Sequence, residues 1–255
     1  MSNGLWESVK DNVIFVMVSV GVAVALFVIA YAAEKLIKKK NRETERILST
    51  RKIAMIGVFS AIAMILHILD FPVPFAPPFY KLDFSELPAL IGTFAFGPVA
   101  GIMIEFCKIM LKLLIKGTST AFVGDLANFV IGCSFILPAS IIYMFHKTKK
   151  NAIIASGIGT LIMTVFGTMF NAVYLLPAFS VLYGMPLEAI VEMGTKINGS
   201  ITSVTTLVIF SVAPLNLLKR FSVSFVTLLV YKKLSPVLKA GTVWGNKERR
   251  VSVSE

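Results

Sequence analysis

The sequence is poor in the side chains that enzymes usually work with. It has two histidines, two cysteines and 14 acidic residues among 255. His67 and His146 stand far apart, and no H-E-x-x-H occurs, so the common zinc-hydrolase helix is excluded. No G-x-x-x-x-G-K-[ST] is present, so the chain cannot cradle ATP in a P-loop by itself. Gly157-x-Gly159 lacks the third glycine of a dinucleotide fingerprint. Cys107 and Cys133 both fall in apolar runs, where they read as small buried hydrophobes. A membrane enzyme drawing on Glu105, Asp83 or Asp125 would have carboxylates but no nucleophile or metal constellation. No catalytic residue, metal ligand or cofactor is therefore assigned.

What the chain has in quantity is apolar surface. Hydrophobic residues make up 56% of it and charged residues 15%, and the mean hydropathy is +0.81. A soluble domain of this length carries more charge, so an integral membrane protein is expected. The apolar runs are continuous and do not alternate with period two, which argues for helices over a barrel.

The net charge of +11 invites a nucleic-acid partner, but the placement of the charges argues against one. Of the 25 Lys and Arg residues, 17 fall in segments on one side of the reading below and four on the other. Lys108, Lys112, Lys219 and Arg220 lie within apolar segments. That asymmetry is the positive-inside pattern, so the basic balance sets orientation in a lipid bilayer. It places the N-terminus outside and the C-terminus in the cytoplasm.

Val13 to Ala33 is long enough to span. Ala30-Tyr31-Ala32 resembles a signal-peptide cleavage site, but the strongly basic stretch after it favours an uncleaved anchor. The expected organisation is an anchor over 1–34, a basic cytoplasmic linker over 35–52, a membrane domain over 53–234 and a basic tail over 235–255. Ile53 to Leu69 is the second span, with Gly57 and Ala61 one turn apart, a spacing that lets another helix approach closely.

Phe71 to Gly101 then reads FPVPFAPPFYKLDFSELPALIGTFAFGPVAG. Four prolines with aromatics between them stiffen a loop that looks built to cover something. Leu87–Phe96 is too short to span, and Gly97-Pro98 separates it from Val99–Ile115. Short or broken segments at membrane depth line cavities or lie inside protein. Phe122–Phe145 and Ala152–Pro177 are full spans. Residues 178–213 are expected outside, as a loop with an interfacial or re-entrant helix. Pro214 is expected to start the last span, which runs to Tyr231. The fold class is thus all-α and membrane-integral, with a six-helix core and one extra N-terminal transmembrane helix.

Polar groups inside spans mark function or pairing. Glu105, Lys108 and Lys112 share a helical face, with an internal Glu105–Lys108 pair and Lys112 reaching outward as the simplest reading and a direct ligand contact by Lys108 as the alternative. Asn128, Asn171, Asn216 and Lys219 sit at similar depth on three helices, beneath the proline loop. One asparagine alone is explained as well by helix–helix hydrogen bonding. Four converging groups, with aromatics nearby, suit a flat, polar-edged heterocycle without strong charge.

FPVPFAPPFYKLDFSELPALIGTFAFGPVAG, GDLANFVIG and APLNLLK together resemble the riboflavin-specific S components of energy-coupling-factor (ECF) transporters, over roughly Lys52 to Leu234. The resemblance implies a non-enzymatic six-helix subunit of a bacterial cell-membrane importer that captures riboflavin at the outer face. It also implies partners, a transmembrane coupling subunit and two cytoplasmic ATPases. Asn216 and Lys219 match the family's Asn-x-x-Lys, Asn171 its preceding asparagine, and Phe79, Leu82 and Asp83 its lid. Gly57 and Ala61 match the small-residue motif that docks on the coupling subunit, with Gly in place of the first Ala. The extra first helix and a long 179–212 connection depart from the pattern. FMN or another flat vitamin is the alternative ligand.

Overall fold

The computed structural model describes residues 13–44, 46–118, 120 and 122–230. Among these, helices dominate. Helix α1 runs over Val13–Asn41 and α2 over Thr50–Ile68, the latter capped by the Ser49 hydroxyl. A loop with a two-residue antiparallel pair, β1 (Phe71–Pro72) and β2 (Lys81–Leu82), leads into α3 (Glu86–Phe96) and α4 (Pro98–Lys116). Then come α5 (Val123–Phe145), α6 (Lys149–Tyr183), the short α7 (Leu187–Thr195) and α8 (Val204–Val230). Among the described residues five helices are long and apolar enough to cross a membrane: α1, α2, α5, α6 and α8. Helix α4 has 19 residues but carries Glu105, Lys108 and Lys112, which are acceptable at depth only because they are turned inward.

Three apolar clusters organise the bundle. One joins α2, α3, α4, α5 and α6 around Phe59, Phe94, Phe135 and Tyr143. A second gathers the loop, the far part of α6, α7 and the start of α8 around Tyr80, Phe179, Ile201 and Leu215. The third seats α1 on α4 and α5 through Ala30, Ile102, Cys133 and Leu137. Phe84 and Ile131 touch both of the first two. A layer of buried charge lies between those two clusters.

The expected spans over 53–69 and 122–145 agree with α2 and α5 within a few residues. Residues 178–213 do not form a wholly external loop. Helix α6 continues to Tyr183, and α8 starts at Val204, ten residues before Pro214. The prolines misled because both are accommodated by wide turns. The Leu176 N–H bonds to the Asn171 carbonyl just before Pro177, and the Ala213 N–H to the Val208 carbonyl just before Pro214. An i→i−5 turn changes the local carbonyl pairing just where proline, having no N–H, cannot sustain an ordinary helix. Asn216 and Lys219 therefore sit well inside α8, not at its start. Helix α1 likewise runs through the first part of the basic linker to Asn41. Tyr231, Lys232-Lys233 and the tail lie outside the described residues.

The helices close on one another where glycine permits it. At Gly132 of α5 a Cβ would fall inside contact distance of Glu105 Oε2 and 2.9 Å from its Cδ. Gly132→Val is expected to displace that carboxylate from Lys108 and cost about 2 kcal/mol, read as a lowered thermal unfolding midpoint in detergent.

Candidate functional site

A cavity of about 360 Å³ opens under the proline loop, between α2, α4, α5, α6 and α8. Phe79, Asp83, Asn128, Asn171, Asn216 and Lys219 all contribute to its wall. Leu82 does not. It is buried in the second apolar cluster with Val73 and Tyr80.

The two wide turns set the wall. Asn171 opens the first, and its amide is fixed at both ends: Nδ2 donates to the Gly167 carbonyl at 2.7 Å, and Oδ1 accepts from the Tyr80 hydroxyl at 2.9 Å. Burial raises the Tyr80 phenol above its ordinary pKa, so it stays a donor at physiological pH. Asn216 packs close to Gly167, where a Cβ would come within 3.1 Å of its Nδ2. It is 9% exposed, and its Nδ2 has no hydrogen-bond partner. One turn on, Lys219 Nζ lies 2.8 Å from Asp83 Oδ2 and 3.3 Å from Glu86 Oε1. An ammonium has three donors, so one remains for the cavity.

Beneath these groups lies a set of buried, ion-paired charges. Arg220 meets Glu86 Oε1 at 2.7 Å, and Lys108 meets Glu105 at 2.6 Å and the Ser85 hydroxyl at 3.1 Å. The internal Glu105–Lys108 pair is therefore present as expected. Lys112 lines the cavity with the mouth residues. It pairs with Asp125 at 2.7 Å, and Thr118 donates to the other Asp125 oxygen. Its pairing was illegible because Asp125 sits across a turn on the next helix. Asn128 donates to the Gly124 carbonyl of its own helix at 3.0 Å, which leaves its oxygen toward other partners.

Tyr80, His67 and Glu86 were not among the site candidates read from the sequence, and Arg220 was noted only as a cation within an apolar segment. Tyr80 had a usable signal, a hydroxyl within the proline loop. His67 faces Asp83, with Nδ1 at 3.5 Å, and nothing in its spacing announces that. At the mouth, Lys81 and Lys116 share Asp70, at 3.1 and 3.9 Å, with Thr118 and Thr120 nearby. Phe79 stacks obliquely on Tyr80 and edge-on against Phe179. The cavity thus has an aromatic side, a polar mouth and a deep wall whose spare groups are mainly donors. No group of three or more His, Cys, Asp or Glu suited to a metal occurs among the described residues.

On α2, Gly57 and Ala61 are exposed on the face opposite Ile56, Phe59 and Ala63, and nothing lies within 4 Å of a Cβ built at Gly57.

A family model described as "ECF transporter, substrate-specific component" matches residues 51–231. The riboflavin transporter RibU of Staphylococcus aureus (strain TCH60) is 35% identical over 189 residues, covering 74% of this chain and 93% of that protein. The riboflavin transporter FmnP of Bacillus subtilis (strain 168) is 32% identical over 190 residues, covering 74% and 94%. A solved S component of a bacterial ECF transporter superposes with a TM-score of 0.58 at 36% identity, covering 74% of this chain and 98% of its own.

Asp83 is one of the loop's anchors, beside the Tyr80–Asn171 and Ser211–Phe75 hydrogen bonds. Burial alone would raise its carboxyl, but Lys219 and His67 hold it well below the ordinary carboxylate range. Its contribution is therefore complete above about pH 4 and is lost only as the pH falls through the lowered native value. Asp83→Asn is expected to speed tryptic cleavage after the exposed Lys81 by about tenfold or more at neutral pH, because Lys219 then loses its shorter ion pair. Cleavage kinetics followed on a gel check this.

Proposed function

The chain belongs to the substrate-specific components of ECF transporters, and we propose that the cavity is its riboflavin site, loaded from the outer face. The relatives named as riboflavin transporters support that ligand. The single observation that carries the site assignment is the Asn216 amide, buried, unpartnered and one turn from Lys219. Spare N–H groups there and on Lys219 ask for a ligand edge rich in acceptors. The pyrimidine edge of an isoalloxazine presents carbonyl oxygens and ring nitrogens. Phe79, Tyr80 and Phe179 suit its flat apolar body, and the hydroxyl- and charge-bearing mouth suits a polyol chain.

Phe79, Asp83, Asn128, Asn171, Asn216 and Lys219 form the proposed contact set, with Leu82 supporting the lid from behind. The membrane domain 53–234 is the proposed binding unit, and the positive-inside pattern supports an outer cavity with a cytoplasmic C-terminus. The subunit works with an ATPase-bearing module, for which a coupling subunit and two cytoplasmic ATPases are proposed. The exposed Gly57/Ala61 stripe on α2 is the proposed docking face, since small residues allow a close helix approach.

Asn216→Ala is expected to weaken riboflavin binding about tenfold, the worth of one or two neutral hydrogen bonds. Lys219→Ala is expected to weaken it about a hundredfold or more, because Asp83 and Glu86 also each lose one of their cationic partners. Fluorescence-quenching titrations in detergent measure both, and unchanged affinity in both variants would contradict the site. Gly57→Trp is expected to leave binding intact and abolish riboflavin uptake by cells. Loss of binding in that variant, with the fold preserved, would remove α2 as a docking face.

A further inference from the structure

Helix α1 precedes the residues that the family model matches. In the structure it is packed into the bundle. Ala30 is fully buried against α4 and α5, and Phe27 meets Phe106 edge-on at 5.9 Å. At the end of the bundle away from the lid, the chain breaks between α3 and α4 at Gly97-Pro98. The first N–H groups of a helix have no partner within it, and lipid offers none. Glu34 of α1 supplies one: its fully buried Oε2 accepts from the Val99 N–H at 3.1 Å. A carboxylate is also the charge that a helix N-terminus favours.

The approach depends on Gly97. Its φ of +105° suits glycine, and a Cβ there would lie 2.7–2.9 Å from the Glu34 carboxylate atoms. Lys38 stands 3.5 Å from the other Glu34 oxygen and also donates to the Arg46 carbonyl. Two further ties bind the end of α1 to the end of α5: Asn41 Nδ2 donates to the Met144 carbonyl at 3.2 Å, and Glu43 pairs with Lys147 at 2.7 Å.

We propose that the α4–α5 face of the six-helix core is a docking site for the chain's own N-terminal helix, specified by Glu34 at the N-terminus of α4 and opened by Gly97. On this reading α1 is a permanent seventh bundle helix and not a tether. The α4–α5 face is closed to membrane partners, while the Gly57/Ala61 face stays open.

Cys133 reports on the dock, because it is fully buried in the cluster that α1 covers. Cys107→Ser makes it the sole thiol of the full-length chain. A control chain, Cys107→Ser/Cys133→Ser/Ser156→Cys, places the thiol at a buried position of α6, outside that cluster. N-ethylmaleimide labelling in detergent, followed by mass, gives the rates. Glu34→Ala is expected to accelerate Cys133 labelling at least about tenfold and leave the control unchanged, with Glu34→Gln in between. Glu34→Lys is expected to exceed Glu34→Ala. If it does not accumulate, the Ala and Gln variants carry the comparison. Unchanged Cys133 labelling in Glu34→Ala would overturn the proposal, and so would equal acceleration at both positions, which marks general loosening.

Discussion

The bundle depends on keeping six charges out of lipid. Asp83, Glu86 and Glu105 face Lys108, Lys219 and Arg220 in a buried layer between two apolar clusters. An isolated ion there would cost several kcal/mol, so none of the six is tolerable without its neighbours. The groups come from the loop, α3, α4 and α8, so closing the charge set also fixes where those four segments meet. The same closure prepares the cavity. Lys219 is held by two carboxylates, yet keeps a donor for a guest. Asp83 is at once the lid's fastening and the partner of the cavity's cation.

The second organising device is the pair of wide turns. Each ends one residue before a proline, and each lies on a helix that carries a cavity amide, Asn171 on α6 and Asn216 on α8. Proline forces irregular backbone at depth, and the i→i−5 bonds keep the neighbouring backbone groups partnered. Gly167 then brings Asn216 against α6. The amides are presented by rigid helices, while the aromatic cover comes from a loop. A rigid polar wall with an apolar cover suits capture of a flat ligand.

Much of this was legible in the sequence. Long apolar runs gave α2 and α5 nearly to their ends, and the charge at 105 and 108 was readable as a pair because both residues share one helical face. The convergence of Asn128, Asn171, Asn216 and Lys219 was inferred from their depth alone, and all four line one cavity. The misplacements share a cause. Pro177 and Pro214 look like boundaries to any rule that assumes regular helix, and only the three-dimensional backbone shows a turn that absorbs them. The partner of Lys112, Asp125, lies on another element, so their spacing does not mark the pair. Leu82 stands with Phe79 and Asp83 in the lid that the resemblance implies, and it packs in the apolar cluster beside the cavity. The dock of Glu34 on Val99 joins residues 65 apart, and no local pattern marks it.

The central claim is that the donor-rich cavity under the lid holds one flavin. Its most direct test is a fluorescence-quenching titration of riboflavin into the purified full-length protein after bound flavin has been removed. Saturation at one riboflavin per chain, with a dissociation constant below about 1 μM, is the expected result. Absence of saturable quenching up to tens of micromolar, by a protein that unfolds cooperatively, would contradict it.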